Sequence, residues 1–233
     1  MERKRFLKQG MAALGIAFVT PMTACKKNDA TTDNSENGGT EGTGSETCAV
    51  APTETEGPYP SKNPSAYVRS DITDGRSGYK LTVNITIGKV SNNCSPLEGA
   101  VVDVWHCDAD GNYSEYSSGS TSLHFLRGRQ TTDAGGLVTF TTIFPGWYQG
   151  RATHIHVHVF NASGTSLKVT QIAFPENSGS ALLTVNGYNK GMKGYTYNAQ
   201  DNVFADDTTG VEIATVTGNT TNGFSLVHNI NVP

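Results

Sequence analysis

Basic charge is scarce in this chain once its first residues are set aside. Lys and Arg number 17 against 21 Asp and Glu, and Arg3, Lys4, Arg5 and Lys8 crowd the start. From residue 25 onward 13 basic and 20 acidic side chains remain, a formal charge of −7. No basic face is left to neutralise phosphates, which excludes nucleic acid as an expected partner. Long apolar runs are also missing. Met11 to Val19 is a short apolar core, too short to span a bilayer as a mature helix. No segment carries a 3.6-residue apolar stripe of helical length, so helices are not expected to build the fold. Cysteine is limited to Cys25, Cys48, Cys94 and Cys107.

Those residues divide the chain. The basic start, the apolar core and Met22-Thr23-Ala24-Cys25 read as a lipoprotein-type export signal over residues 1–24, with lipidation expected at Cys25. Arg3-Lys4-Arg5-Phe6-Leu7-Lys8 resembles a twin-arginine motif with lysine in the second arginine's place; an ordinary export signal with a basic start is the preferred reading over it. Residues 25–47 are mostly Asn, Asp, Glu, Thr, Ser and Gly, too poor in apolar side chains to bury a core, and read as a flexible tether. The expectation is a bacterial-type lipoprotein, periplasmic or on the cell surface, touching the membrane only through its lipid. A single domain is expected over 48–233, long enough for a sizeable core. Export permits a disulfide. Cys48 and Cys94 sit in turn-like surroundings and Cys107 ends an apolar strand, so 48 is paired with 94 and 107 left free and buried; other pairings stay open.

The domain reads as an all-β sandwich of mainly antiparallel strands. Leu81, Val83, Ile85 and Ile87 alternate with polar neighbours, as do Val138 and Phe140. Phe224, Leu226, Ile230 and Val232 keep one parity, and Val101 to Trp105 forms a further strand. Gly, Asn, Asp and Pro recur between these runs as turn signals.

Chemistry concentrates in Gly146-Trp147-Tyr148-Gln149-Gly150-Arg151-Ala152-Thr153-His154-Ile155-His156-Val157-His158-Val159. From His154 the pattern alternates polar and apolar, the period of a strand, so His154, His156 and His158 point one way and Ile155, Val157 and Val159 the other. Two imidazoles at i and i+2 on a strand can share a metal ion, and Tyr148 on the entering loop can add an oxygen. The same alternation also suits a half-exposed strand with histidines facing water.

Other motifs accompany this stretch: Thr55-Glu56-Gly57-Pro58-Tyr59, Val101 to Tyr113 with its Trp105-His106 and Asp110-Gly111, Gln130 to Gly136, and Phe144-Pro145-Gly146-Trp147-Tyr148. Together, in this order and over about 53–176, they resemble the intradiol ring-cleavage dioxygenases, the family of protocatechuate 3,4-dioxygenase and catechol 1,2-dioxygenase. The resemblance implies one non-haem, mononuclear Fe(III) held by Tyr113, Tyr148, His154 and His156. It implies that Tyr148 is the exchangeable ligand and base, that Arg151 stabilises charge on the activated ring, and that Tyr59 and Gln171 meet the substrate. The implied reaction places both atoms of O2 into a catechol-type ring and opens it between the hydroxylated carbons to a muconate-type diacid.

The residue types suit that reading. Fe(III) is a hard cation, phenolate oxygens are hard donors, and a bound cation lowers a tyrosine's pKa. His106, His124 and His158 have no counterpart role and are read as structural. Asp108-Ala109-Asp110-Gly111 hints at a calcium loop, but its glycine comes too early for an EF-hand and the later acidic ligands are missing. Only five residues separate Tyr148 from His154, a shorter connection than in familiar cytoplasmic members, which leaves the catechol's substituents open. The helical region that dimerises catechol 1,2-dioxygenases has no counterpart here, so dimerisation by that route is not expected and the oligomeric state stays open. A cupin-type site would call for a nearby downstream glutamate and a third histidine, and Glu176 and His228 lie far along the chain. The remaining alternative is a non-catalytic exported β-sandwich binding protein that keeps a metal site.

Overall fold

The structure, a computed structural model, describes residues 48–233. The expected signal, the tether and Cys25 lie outside the described residues. Two sheets face each other. The larger contains β1 (Lys80–Lys89), β2 (Ser95–Pro96), β5 (Leu137–Ile143), β8 (Thr215–Asn219) and β9 (Gly223–Val232). The smaller contains β3 (Val101–Trp105), β4 (Arg127–Thr131), β6 (His154–Phe160) and β7 (Ser166–Ala173), in the order β4-β3-β6-β7. All pairings are antiparallel except β1 with β9, which run parallel with Leu81 opposite Phe224. The one α-helix among the described residues, α1 (Ala181–Val185), is capped by the Ser180 side chain.

Alternation decides which side chains enter the core. Leu81, Val83, Ile85 and Ile87 of β1, Val138 and Phe140 of β5, and Leu226, Ile230 and Val232 of β9 meet Val102 and Val104 of β3 and Ile155, Val157 and Val159 of β6 in one cluster. All are 2 % exposed or less. At about 1.5–3 kcal/mol for each large apolar side chain buried, this layer supplies the main drive for folding.

The opposite face of the smaller sheet would ordinarily meet water. Here it carries two cross-strand rows. The first is Arg127, Trp105, His156 and Gln171; the second is Arg129, Asp103, His158 and Val169. Residues 53–61 run over this face as a strap. Glu54 N–H bonds the Val169 carbonyl at 2.9 Å, Gln171 Nε2 donates to the Thr55 carbonyl at 2.9 Å, and Arg127 Nη1 donates to the Tyr59 carbonyl at 2.9 Å. Most polar groups so covered are paired, since leaving one unpaired is costly. Arg129 grips Asp103 through two bonds of 2.5 and 2.7 Å, and Arg127 also reaches the Ser114 hydroxyl and carbonyl. Trp105, His156 and Gln171 are consequently 2 % exposed or less although they lie outside the sandwich core.

Cys48 and Cys94 are joined, with Cα atoms 5.6 Å apart. Cys107 is free and buried, and burial pushes its thiol up to about 12.

Candidate active site

Two loops and one strand end build the site. The first loop follows β3. Asp108 turns it by accepting the N–H groups of Asp110 and Asn112 at 3.0 and 2.8 Å. Gly111, at φ +92°, lets this loop close on the next: a Cβ there would stand 2.4 Å from the Trp147 carbonyl oxygen. That contact sets Tyr113 beside Tyr148, ring centroids 5.8 Å apart. The Asp108 segment is thus a turn, with Arg76 ion-paired to Asp108 at 3.9 Å.

The strand end is the start of β6. His154 Nδ1 bonds the Ala152 carbonyl at 2.6 Å, which turns Nε2 inward. His154 Nε2 lies 3.0 Å from His156 Nε2 and 3.3 Å from the Tyr113 hydroxyl. The Tyr148 ring packs edge-on against His154 at 5.7 Å. The four groups expected as ligands therefore converge. His156 has no hydrogen-bond partner at Nδ1. It is held instead between the Trp105 indole, 4.9 Å away and parallel, and Gly57 of the strap.

Burial controls the protonation of this cluster. It lowers His154 to about 3, with Arg151 adding to the effect, and holds His156 well below the usual histidine range. Both imidazoles are neutral and offer lone pairs. Burial raises Tyr113 well above an ordinary tyrosine and also raises Tyr148, where Arg151 opposes it. The two phenols differ in access: Tyr113 is 1 % exposed and sealed under Tyr59, whose ring stacks on it at 4.6 Å, whereas Tyr148 is half-buried.

Arg151 is buried beside the cluster. Its Nε donates to both Asp201 oxygens at 3.2 and 2.9 Å, Nη2 donates to Gln171 Oε1 at 2.6 Å, and Nη1 lies 3.5 Å from His154 Nε2. Gln171, expected at the substrate, is set behind Arg151 with both ends of its amide engaged. Tyr59 is half-buried, its ring centroid 6.2 Å from that of Tyr148. His158 pairs with Glu56 at 2.8 Å, His106 with Thr142 at 2.8 Å, and His124 stacks on Tyr67; none joins the four groups.

Sequence reasoning missed Trp105 as the support of His156, Arg127 as the anchor of the strap, and Asp201 altogether. Trp105 and Arg127 had a signal in their strand parity, which places them in one row with His156. Asp201 had none, since the segment between Glu176 and Phe224 carries no periodicity.

Comparison with known proteins bears on the family and the fold. A family model described as Dioxygenase matches residues 55–186. The chain is 30% identical over 126 residues to a chlorocatechol 1,2-dioxygenase of Rhodococcus opacus, covering 46% of this chain and 46% of that protein. It thus spans under half the length of this curated relative. Among solved structures, an intradiol ring-cleavage dioxygenase from Tetranychus urticae superposes with a TM-score of 0.70 at 29% identity, over 79% of this chain and 94% of that one. The dioxygenase domain of a carbohydrate-binding fusion protein from a Streptomyces species gives 0.59 at 26% identity, over 78% and 97%. With the family match spanning more than half of its residues and the sandwich shared with these structures, the chain belongs to the intradiol ring-cleavage dioxygenase family.

Proposed function

We propose that this chain is a non-haem Fe(III) dioxygenase that incorporates both atoms of O2 into a catechol-type ring and cleaves it between the two hydroxylated carbons to a muconate-type diacid. One observation carries the reading: two phenols and two neutral imidazoles meet at one point with no carboxylate among them. Among the described residues no group of three or more His, Cys, Asp or Glu is placed to hold a metal. The candidate centre is therefore a tyrosine–histidine set, which suits a hard ferric ion. A cation held there would offset the desolvation that raises both phenols' pKa values.

Tyr113, Tyr148, His154 and His156 would hold the ion, which would supply the Lewis acidity that activates a catechol ring. The chain's own residues divide the remaining work. Tyr113, sealed from water, keeps its place. Tyr148, half-buried beside His154, would accept a catechol proton. Arg151 directs Nη1 toward the cluster and stabilises negative charge there, a preorganised electrostatic contribution. Tyr59 flanks the incoming ring. Ahead of this domain, Cys25 carries the lipid that places the enzyme at a membrane surface outside the cytoplasm.

The test begins with colour. Purified protein loaded with iron should be red-brown from tyrosinate-to-iron charge transfer, and should consume oxygen with some members of a panel of substituted catechols, giving ring-opened diacids. A colourless iron-loaded protein, or a coloured one that binds catechols without oxygen uptake, would sink the proposal and favour a binding role. Cys25→Ala should release the protein from the membrane fraction or leave an unprocessed precursor. Unchanged processing and membrane association would remove the anchor.

A further inference from the structure

The segment that follows α1 lies beyond residues 55–186, the part matched by the family model. It nevertheless reaches the site. Asp201 is 0 % exposed and its two carboxylate oxygens make four contacts. Oδ1 accepts from Val203 N–H at 2.8 Å and from Arg151 Nε at 3.2 Å; Oδ2 accepts from Arg151 Nε at 2.9 Å and from Ala152 N–H at 2.6 Å. Nearby, the Tyr195 hydroxyl accepts the Thr153 N–H at 2.9 Å.

Two lines of force run from this carboxylate. One passes through the Arg151 side chain. Asp201 holds its Nε edge, Gln171 holds Nη2, and Nη1 is left facing His154 Nε2. The other passes through the backbone. Asp201 fixes the N–H of Ala152, and the carbonyl of the same residue receives His154 Nδ1 at 2.6 Å. A buried carboxylate bonded to a guanidinium and a peptide N–H is costly to disturb, since loss of either partner strands a desolvated group.

We propose that Asp201 is a positioning residue for two parts of the site at once: it aims Arg151 and, through the Ala152 peptide, fixes the ring of His154. The inference rests on the function proposed above, and predicts that a side chain outside the matched region sets both metal retention and turnover. Partners that orient a metal ligand are worth about 10–100-fold in affinity or activity.

The experiment compares Asp201→Asn, Arg151→Ala and the double variant, with Tyr195→Phe as the control for general loosening of this segment. Asp201→Asn should fold, lose iron affinity by about 10-fold or more, and lose kcat by about 10–100-fold per bound iron. In the Arg151→Ala background the further loss of kcat should largely vanish while the loss of iron affinity persists, because only the first passes through Arg151. Tyr195→Phe should lower Tm and leave iron affinity and kcat within about threefold, the behaviour of a contact that does not aim Arg151 or His154.

Iron affinity and kcat equal to the parent's in Asp201→Asn would overturn the proposal. So would kcat losses that simply multiply in the double variant, or equal losses in Tyr195→Phe. Should Asp201→Asn not fold, Asp201→Glu keeps the charge one methylene further out; parental affinity and kcat in that variant would overturn the assignment by itself. If the parent protein binds iron but cleaves no catechol, the proposed reaction fails while the iron-affinity arm still reads the role of Asp201.

Discussion

The Trp105 indole lies flat against the His156 imidazole, ring centroids 4.9 Å apart and planes 1° from parallel. The two residues face each other across the β3–β6 pair. His156 Nδ1 has no hydrogen-bond partner, so stacking takes over the orienting task that a carbonyl performs for His154. Aromatic pairs of this kind are worth about 0.5–1.5 kcal/mol beyond the area they bury.

The other side of His156 is closed by Gly57. At φ +67° this residue occupies backbone space that favours glycine, and an added Cβ would stand 3.0 Å from His156 Cε1. Gly57→Ala should cost about 1–2 kcal/mol from the backbone alone and displace the ring. Thermal melts and iron titration should show both a lower Tm and weaker iron binding. Unchanged iron affinity would mean that the strap does not support His156.

Tyr148→Phe separates enzyme from scaffold. The ring stays and the phenol is lost. Iron should still bind through Tyr113, His154 and His156, the visible band should weaken and shift, and oxygen uptake should fall by about 10²–10⁴-fold, the worth of base catalysis. A variant with the parent's spectrum and turnover would show Tyr148 to be only a turn residue.

The Cys48–Cys94 bond closes a sequence separation of 46 residues. Replacing both cysteines by serine should destabilise the domain by about 4 kcal/mol in the chain-entropy account, less if the reduced chain keeps structure. Denaturant unfolding of the oxidised protein and the double variant measures the difference. Equal midpoints, or a peptide map with Cys107 paired, would refute the assignment.

Glu212 is buried with neither carboxylate oxygen hydrogen-bonded. Burial, then the charges of Glu54 and Asp207, raise it to about 8. The folded pKa exceeds the unfolded one, so the folded chain keeps this proton where the unfolded chain has released it. The resulting contribution is fully present below about 4.5, an unperturbed glutamate, and is lost as pH rises through 8. Glu212→Gln should therefore gain Tm over the parent as pH is raised from 5 to 9. A constant difference across that range would show that Glu212 does not titrate this way.

Much of this architecture was legible in the residues. Period-two alternation located β1, β5, β6 and β9, the apolar run Val101 to Trp105 located β3, and the parity of His154 and His156 put both on one face. The strap was not legible, because residues 53–61 have no strand pattern and gain their place from Arg127, Gln171 and Val169. The burial of β6 on both faces follows from that cover and cannot be read from alternation. Nor does any local signal specify that β1 and β9 run parallel, since their contacts join opposite ends of the domain.

That pairing has a consequence for how the molecule assembles. Leu81 cannot meet Phe224, nor Ile87 meet Ile230, until nearly all the intervening chain has been made and brought home. Contacts so distant in sequence carry a large loop-closure penalty before they return any stabilisation, and slow the search accordingly. A growing polypeptide would hold one hydrogen-bonding edge of β1 unpaired until β9 emerged, so the interval before closure is when this domain is most exposed to self-association.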